Sequence, residues 1–190
     1  MLTGEALNFS PQEISDVILI KPDLYSDDRG YFMETFRSDL FEKALGYKVK
    51  FVQDNESKSS KGVLRGLHYQ TPPYEQAKLV RVVEGVVLDI AVDLRRSSAT
   101  FGKHVAVKLT SKNKYQLYIP HGFAHGFVVL SDSATFVYKT DNYYNPKFDR
   151  GILFNDKALN IDWSLPIDEL QLSENDRNLP KLSDAKDLFD

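Results

Sequence analysis

The sequence predicts an all-β fold, a sandwich or barrel of the jelly-roll type with a few short helices. Aromatic residues are abundant, with ten Tyr and twelve Phe in 190 residues, and aromatic and β-branched side chains suit the half-buried surface of a pleated strand. Apolar and polar residues alternate with a period of two along many short segments that turn residues separate. Many short strands with one small helix favour a closed two-layer architecture, and the jelly roll is a common one at this length.

The strands follow from this alternation. We expect hairpin turns at Glu84-Gly85 and at Ser131-Asp132-Ser133, where turn residues lie between two apolar runs. The predicted strands are Val17–Ile20, Tyr31–Phe36, Val49–Asn55, Val63–Tyr69, Lys78–Val83, Val86–Val92, His104–Leu109, Gln116–Ile119, Ala124–Leu130 and Ala134–Thr140.

One helix interrupts the strands, from Asp39 to Leu45. Asp39 and Glu42 have the spacing of a capping box, with Asp in place of the usual Ser or Thr. Gly46 follows the last helical residue and is the expected stop, because glycine adopts the left-handed conformation that ends many helices.

Length and patterning predict a single jelly-roll domain over residues 1–190, because this length supplies one substantial core and no linker divides the chain. The polar tail from Asp156 onward is expected to form short helical or irregular pieces around Trp163 and Ser173–Arg177.

Composition excludes several classes of protein. The chain has no Cys, which rules out disulfides and thiolate metal sites and fits a reducing compartment. Met1–Ala6 shows no secretory signal, and no apolar run approaches the roughly 20 residues of a membrane span, so we expect a cytoplasmic protein. The net charge of -3 argues against general nucleic-acid binding. An anionic small ligand would need a local basic cluster.

The histidines do not form a local metal motif. Metal-binding jelly rolls typically supply two His two residues apart on one strand, but Gln70 stands two residues after His68. His121 and His125 have helical spacing, yet the Pro and Gly residues around them argue against a helix. We therefore expect no metal, although ligands from separate strands could still converge. The four histidines are His68, His104, His121 and His125.

The strand that carries His68 has an unusual set of polar residues. Alternation places His68 and Gln70 on one face and Arg65 on the other. A β-bulge at Gly66 would turn Arg65 back to the face of His68. A buried, hydrogen-bonded structural histidine is the competing interpretation at this stage.

Other strand positions are candidates for ligand contacts, each with a structural alternative. Gln53 and Asn55 share a face, as do Phe32 and Glu34, and these faces could simply be solvated. Lys78 leads an apolar strand, and Tyr138 shares a face with core positions. Adjacent Tyr143 and Tyr144 could stack on a flat ligand, and Asp27-Asp28-Arg29-Gly30 predicts a turn with Arg29 exposed.

Taken together, these segments resemble the dTDP-4-dehydrorhamnose 3,5-epimerase family, from about Ile14 to Pro180. The motifs that carry the resemblance occur in family order and are numerous, which makes it specific. They are Asp28-Arg29-Gly30, Phe51-Val52-Gln53-Asp54-Asn55, Val63-Leu64-Arg65-Gly66-Leu67-His68-Tyr69-Gln70, Lys78-Leu79-Val80-Arg81, Pro120-His121-Gly122-Phe123-Ala124-His125-Gly126-Phe127, Tyr138-Lys139, Asn142-Tyr143-Tyr144 and Asn155-Asp156.

The resemblance implies a cupin fold, a homodimer, a dTDP-linked 4-keto-6-deoxy sugar as ligand, and neither metal nor organic cofactor. It implies that His68 is the catalytic base, Asp176 the carboxylate that orients it, and Tyr138 the general acid. It implies substrate contacts from Arg29, Glu34, Gln53, Asn55, Arg65, Lys78 and His125, thymine stacking by Tyr144, and a contact of Phe32 with the neighbouring subunit's site.

The chain departs from the family pattern at three places. The loop Thr71–Gln76 contains two Pro, and its path is not predicted. Asp149 and Glu174 stand near further nucleotide-contact positions at which family members differ.

The chemistry implied by the resemblance is consistent with these residues. A 4-keto group acidifies the hydrogens on C3 and C5, and inversion needs a base on one face, an acid on the other and donors at O4. An imidazole accepts protons near neutral pH and a phenol is protonated there. A preorganised donor contributes about 2.7–4 kcal/mol to stabilising an oxyanion, a role that suits Lys78, with Arg65 at O4 or the diphosphate. Arg29, Arg65 and Lys78 would form the basic cluster that an anionic ligand needs.

The expected reaction converts dTDP-4-dehydro-6-deoxy-D-glucose to dTDP-4-dehydro-L-rhamnose, in dTDP-L-rhamnose biosynthesis. Three alternatives remain from the residues alone. They are an epimerase acting at C3 or C5 only, a metal-dependent cupin isomerase or oxygenase, and a jelly roll that binds sugars or nucleotides without catalysis.

Overall fold

The computed structural model describes residues 6–190. Met1 to Glu5, which belong to the segment on which no secretory signal was predicted, lie outside the described residues. The strands within 6–190 are β1 Leu7–Pro11, β2 Ile18–Pro22, β3 Tyr25–Asp27, β4 Gly30–Phe32, β5 Gln53–Ser60, β6 Leu64–Gln70, β7 Lys78–Glu84, β8 Val86–Asp93, β9 His104–Thr110, β10 Gln116–Ile119, β11 Phe123–Val129, β12 Ser133–Thr140 and β13 Asp149–Gly151.

The helical segments are short. They are α1 Ser38–Leu45, α2 Glu174–Arg177 and the 3₁₀ turns Ile167–Glu169 and Leu182–Asp184. None of the helices within residues 6–190 has the length and apolar character needed to cross a membrane.

Two antiparallel sheets form the body of the fold. The first has the order β1-β2-β10-β7-β12-β5, the second β13-β6-β11-β8-β9, and β3 pairs with β4 alone. Strands adjacent in the chain often lie in opposite sheets. The predicted hairpin turns at Glu84-Gly85 and Ser131-Asp132-Ser133 are therefore wrong, because each connects a strand of one sheet to a strand of the other. Turn residues reverse the chain, but they do not determine which strand pairs with which.

Three apolar layers hold this arrangement. The central layer fills the space between the sheets, with Val80 and Phe136 from the first and Val87 and Phe127 from the second. Outside the second sheet, the C-terminal tail packs Trp163 and other apolar residues against it. Outside the first sheet, α1 and neighbouring Phe residues form the third layer. Because both faces of the second sheet are covered, β8 is an almost continuous apolar strand.

The predicted strand bounds are accurate in the middle of the chain and poor near the N-terminus. The predicted strands between Val63 and Thr140 agree with the structure to within one residue at each end. Tyr31–Phe36 was wrong, since the observed strand is Gly30–Phe32. Val49–Asn55 was also wrong: the strand is the polar Gln53–Ser60, and the apolar residues before it pack beside α1 instead.

Helix α1 confirms the predicted stop but not the predicted start. Gly46 has φ 78° and donates its N–H to the Glu42 carbonyl at 2.9 Å. The capping box is wrong, because the N-cap is Arg37 and makes no side-chain cap bond. Asp39 instead forms an ion pair with Arg37 at 2.5 Å, which occupies the carboxylate that was expected to cap.

A β-bulge occurs where the sequence suggested one. His68 pairs with His125 and Arg65 pairs with Phe127, so β6 has one residue more than β11 over this interval. Gly66 has φ 131°, and a Cβ at this position would lie 2.5 Å from the Cα of Gly126. Two glycines therefore allow β6 and β11 to approach closely at the bulge.

We expect Gly66→Ala to destabilise the protein more than Gly30→Ala. The two glycines have nearly equal φ, 131° and 129°, so both substitutions incur backbone strain of about 1–3 kcal/mol. A Cβ at Gly30 meets nothing within 4 Å, whereas one at Gly66 also pushes β11 away, at a further cost of about 1–3 kcal/mol. Denaturant unfolding measures both values, and equal losses would contradict the close-approach interpretation.

Candidate active site

A cavity of about 390 Å³ lies between the two sheets and is closed on one side by α2. All four residues predicted to be catalytic line it, namely His68, Lys78, Tyr138 and Asp176. The lining residues are Asn55, Glu56, Ser57, Arg65, His68, Lys78, His125, Phe127, Phe136, Tyr138, Ser173, Asn175 and Asp176. A second cavity, of about 340 Å³, is lined by Arg81 and Lys139 among others, and none of the described residues around it is a histidine.

His68 and Asp176 form a hydrogen-bonded pair in the first cavity. Nε2 of His68 lies 2.6 Å from Oδ1 of Asp176. Asp176 is buried, and its backbone N–H is capped by the Ser173 hydroxyl at 3.1 Å. The His68 side chain is 35% exposed, so its ring is accessible from the cavity. With Nε2–H donating to the carboxylate, Nδ1 is left as the proton acceptor.

A second histidine–carboxylate pair lies behind the first. Nε2 of His125 is 2.9 and 3.1 Å from the two carboxylate oxygens of Asp89, and Asp89 is fully buried. Burial lowers the pKa of His125, and the Asp89 charge opposes that shift. Sequence reasoning missed Asp89. The available signal was a lone carboxylate in the middle of the apolar strand β8.

Lys78 is a partly buried cation on the cavity wall. Burial lowers its pKa to about 8, while Asp149 and Asp89 act in the opposite direction. Its ammonium is therefore still largely protonated at pH 7. Such a desolvated cation interacts more strongly with a developing oxyanion than a solvated one does.

Tyr138 stands on the opposite wall from His68. It belongs to β12 of the first sheet, whereas His68 belongs to β6 of the second. Burial raises the pKa of Tyr138, so its phenol is protonated at neutral pH and can donate a proton. A ring contact links the walls beside them, since Phe136 stacks on Phe127 with centroids 4.1 Å apart.

The bulge brings Arg65 to the same cavity as His68. Its Nε donates to the Ser59 hydroxyl at 3.2 Å, and its charge acts on Tyr138 by lowering the pKa that burial raises. The sequence hypothesis that Gly66 turns Arg65 inward is confirmed by this placement.

Four further predicted residues form one network at the cavity rim. Gln53 donates to Asn55 Oδ1 at 3.0 Å and accepts the Tyr144 N–H at 3.1 Å. The Tyr144 hydroxyl donates to Asp149 at 3.2 Å. Tyr144 itself is 55% exposed, so its ring is free to contact a ligand.

The loop after Gln70 packs against this rim. Gln76 donates to the Asn142 carbonyl at 2.8 Å, and the Asn142 amide donates to the Pro73 carbonyl at 3.0 Å. Tyr74 contacts the Phe148 ring, with centroids 4.8 Å apart. The path that the sequence left open therefore runs along residues 142–148.

Seven predicted residues are not among those that line the cavity of this chain. Three of them, Gln53, Tyr144 and Asp149, belong to the rim network, and the other four lie elsewhere. Arg29 pairs with Asp27 on the β3–β4 hairpin and, like Phe32, lines a shallow groove there. Glu34 lies 3.7 Å from Arg37, and Glu174 is exposed at the start of α2. The expectation that Arg29, Arg65 and Lys78 form one basic cluster is wrong for a single chain, because of these three only Arg65 and Lys78 line its cavity.

Within residues 6–190, no group of three His, Asp or Glu side chains is arranged to hold a metal ion. The metal-free site stays a prediction, and elemental analysis of the active protein tests it.

The two sheets and their enclosed acid–base residues define a cupin-like jelly roll with a site for proton transfer. A sequence model of the dTDP-4-dehydrorhamnose 3,5-epimerase family matches residues 11–184. The chain belongs to this family.

Individual relatives agree with the family assignment. The dTDP-4-dehydrorhamnose 3,5-epimerase of Shigella flexneri is 57% identical over 94% of this chain and 98% of its own. A 3,5-epimerase from Legionella pneumophila, solved with dTDP-4-keto-L-rhamnose, superposes with a TM-score of 0.91 at 46% identity, covering 95% of each chain. A dTDP-4-dehydrorhamnose 3-epimerase from Streptomyces niveus is 35% identical over 95% of this chain and 86% of its own.

We expect Lys78 to titrate near pH 8 in the free protein. Burial disfavours its ammonium form, so its pKa falls to about 8, while exposed lysines titrate about two units higher. Reductive ¹³C-methylation followed by an NMR titration measures this, and the resonance is assigned by its absence in Lys78→Arg. A Lys78 resonance that titrates together with the surface lysines would contradict the assigned environment.

Proposed function

We propose that the chain epimerises dTDP-4-dehydro-6-deoxy-D-glucose at C3 and C5 through the residues of the first cavity. The observation that carries this proposal is the placement of the His68–Asp176 pair and Tyr138 on opposite walls. Inversion of a carbon centre requires removal of a proton from one face and its return to the other. A base and an acid from two facing sheets meet that requirement.

Proton abstraction is assigned to His68. Its Nδ1 takes a hydrogen from C3 or C5, and the C–H electron pair forms the enolate, whose negative charge is on O4. Asp176 holds the ring in one tautomer and stabilises the imidazolium that forms. Lys78 is the donor to O4, since it is a cation that lines the same cavity, on the wall of Tyr138, and its burial strengthens that interaction.

Reprotonation is assigned to Tyr138. Its phenol donates a proton to the carbon from the face opposite His68, and O4 becomes a carbonyl again. The phenolate that remains is reprotonated from solvent or from the imidazolium. Arg65 lies close enough to influence the pKa of Tyr138, and it also supplies positive charge for O4 or the diphosphate.

The nucleotide end of the ligand is assigned to the rim. Tyr144 stacks on the thymine ring. Gln53 and Asp149 hold Tyr144 by hydrogen bonds, and Asn55 accepts a hydrogen bond from Gln53. His125 lines the wall between the reacting sugar and Asp89.

We propose that four further residues complete the site. Arg29 and Phe32 come from the hairpin, Glu34 from the segment after it, and Glu174 from α2. Phe32 would act on a second subunit. The homodimer this requires is supported by the exposure of Phe32, 61%, and of Tyr31, 56%, on the hairpin.

We also propose one jelly-roll domain over residues 1–190, supported by the packing of the tail on the second sheet. The cytoplasmic location stays a prediction from the sequence.

An epimerase that acts at C3 alone is the second candidate. The observation that favours it is a 3-epimerase relative that is 35% identical to this chain. A 3,5-epimerase relative is more similar, at 57% identity. Proton NMR of the product made in D₂O separates the two, because deuterium at both C3 and C5 supports double epimerisation and deuterium at C3 alone supports the second candidate. Tight ligand binding without any deuterium incorporation would instead favour a non-catalytic binding protein.

We expect His68→Asn to lower the rate of deuterium exchange at both carbons by about 10²–10⁴-fold or more. The amide is a weak base, so no enolate forms. His104→Asn, on β9 away from the cavity lining, is the matched control and should keep activity. Near-normal exchange in a folded His68→Asn protein would remove His68 as the base.

We expect Tyr138→Phe to separate exchange from inversion. Removing the phenol leaves proton abstraction by His68 but removes the donor on the opposite face, so net inversion should fall by about 10²-fold or more while exchange persists. Tyr115→Phe, a partly buried core position, is the control. Equal loss of exchange and inversion would contradict a dedicated acid role.

A further inference from the structure

The rim segment that carries Tyr144 has little regular structure of its own. Residues 141–148 contain no helix or strand, so their backbone groups need partners from elsewhere. Several of those partners are glutamine side chains. Gln76 binds the Asn142 carbonyl, Gln53 binds the Tyr144 N–H, and Gln70 binds the Tyr143 carbonyl and the Asn145 N–H.

Gln70 binds the backbone on both sides of Tyr144. Its Oε1 accepts the Asn145 N–H at 2.6 Å, and its Nε2 donates to the Tyr143 carbonyl at 3.1 Å. The second Nε2 hydrogen reaches the Tyr74 carbonyl at 2.7 Å. Both amide hydrogens and the amide oxygen are therefore used, and the side chain is only 3% exposed.

Gln70 also has a fixed relation to the catalytic base. It lies two residues after His68 on β6, and the same alternation places the two side chains on one face of the strand. β6 is paired on both sides, with β11 and with β13. A change in the Gln70 side chain therefore alters the rim without a direct bond to His68 or its carboxylate.

We infer that Gln70 is a positioning residue that fixes Tyr144, and with it the nucleotide base, at a set distance from His68. This inference rests on the proposed role of Tyr144 in base stacking. A loop held before the ligand arrives loses less entropy on binding than a mobile one. The effect of Gln70 is therefore expected on affinity for the nucleotide rather than on the proton-transfer step.

Gln70→Met tests this, because it removes all three bonds while keeping a side chain of similar length. Losing the amide leaves three backbone groups without their side-chain partner, and we expect KM for the sugar nucleotide and Kd for dTDP alone to rise by about 10-fold. The rate of deuterium exchange at saturating substrate should change by less than about 3-fold, since the His68–Asp176 pair is untouched. Gln171→Met, which removes a side-chain donor to the Lys61 carbonyl, is the matched control and should change neither constant.

The double variant with Tyr144→Ala distinguishes positioning from general destabilisation. If Gln70 acts through Tyr144, Gln70→Met should raise KM by less than about 2-fold in the Tyr144→Ala background. The inference would be overturned if the two substitutions raised KM independently, so that their fold-changes multiplied in the double variant. A fall in kcat with KM unchanged in Gln70→Met would also overturn it. An inactive wild type would instead refute the proposed function and is distinguishable from either result.

Gln70→Glu covers the case in which the Met variant does not fold. The carboxylate keeps the volume and still accepts the Asn145 N–H, but it cannot donate to the two carbonyls. We expect a raised KM at neutral pH that falls towards the wild-type value as pH is lowered, because the protonated acid regains one donor. A KM that does not respond to pH relative to wild type would count against the role of the donated bonds.

Discussion

The close approach of β6 and β11 at Gly66 and Gly126 is the constraint on which the site depends. A bulge at this point gives β6 one additional residue, and without it Arg65 and His68 would point to opposite faces of the sheet. A Cβ on either glycine would meet backbone atoms of the other strand at 2.5–2.8 Å. The same crossing sets His68 opposite His125, so one irregularity in the ladder aligns both histidines and a cation with the cavity.

The carboxylates behind the histidines show that function rather than stability governs this region. Asp89 is fully buried and Asp176 is 4% exposed, and a carboxylate away from water is costly unless it is paired. Each is paired with a histidine, at 2.9 and 2.6 Å. Two apolar residues in their places would be buried at lower cost. The polar pairs are instead suited to holding an imidazole in one tautomer and one orientation.

How much was predictable depended on whether a feature is local in sequence. Strands β6 to β12 followed from period-two alternation, and the bulge at Gly66 followed from one glycine beside three polar residues. Strand pairing did not, since Glu84-Gly85 looks like a hairpin turn but links two sheets. Asp176 lies 108 residues from His68 and came only from family resemblance. Asp89 was missed because alternation alone does not distinguish a buried carboxylate from a solvated one.

The two ends of the ligand are served by different kinds of structure. In the proposed mechanism, proton transfer uses side chains on paired strands of facing sheets, and packed aromatic rings such as Phe127 and Phe136 contact each other between those sheets. The proposed recognition of the base uses the exposed Tyr144 on an irregular segment, which leaves its ring free to contact a flat ligand but supplies no rigidity of its own. Since β6 carries both His68 and the amide of Gln70 that binds this segment, a single strand relates the two ends. The reacting carbons can then be held beside the base by contacts made far from them, which is how binding energy at a remote group contributes to orientation at the reacting centre.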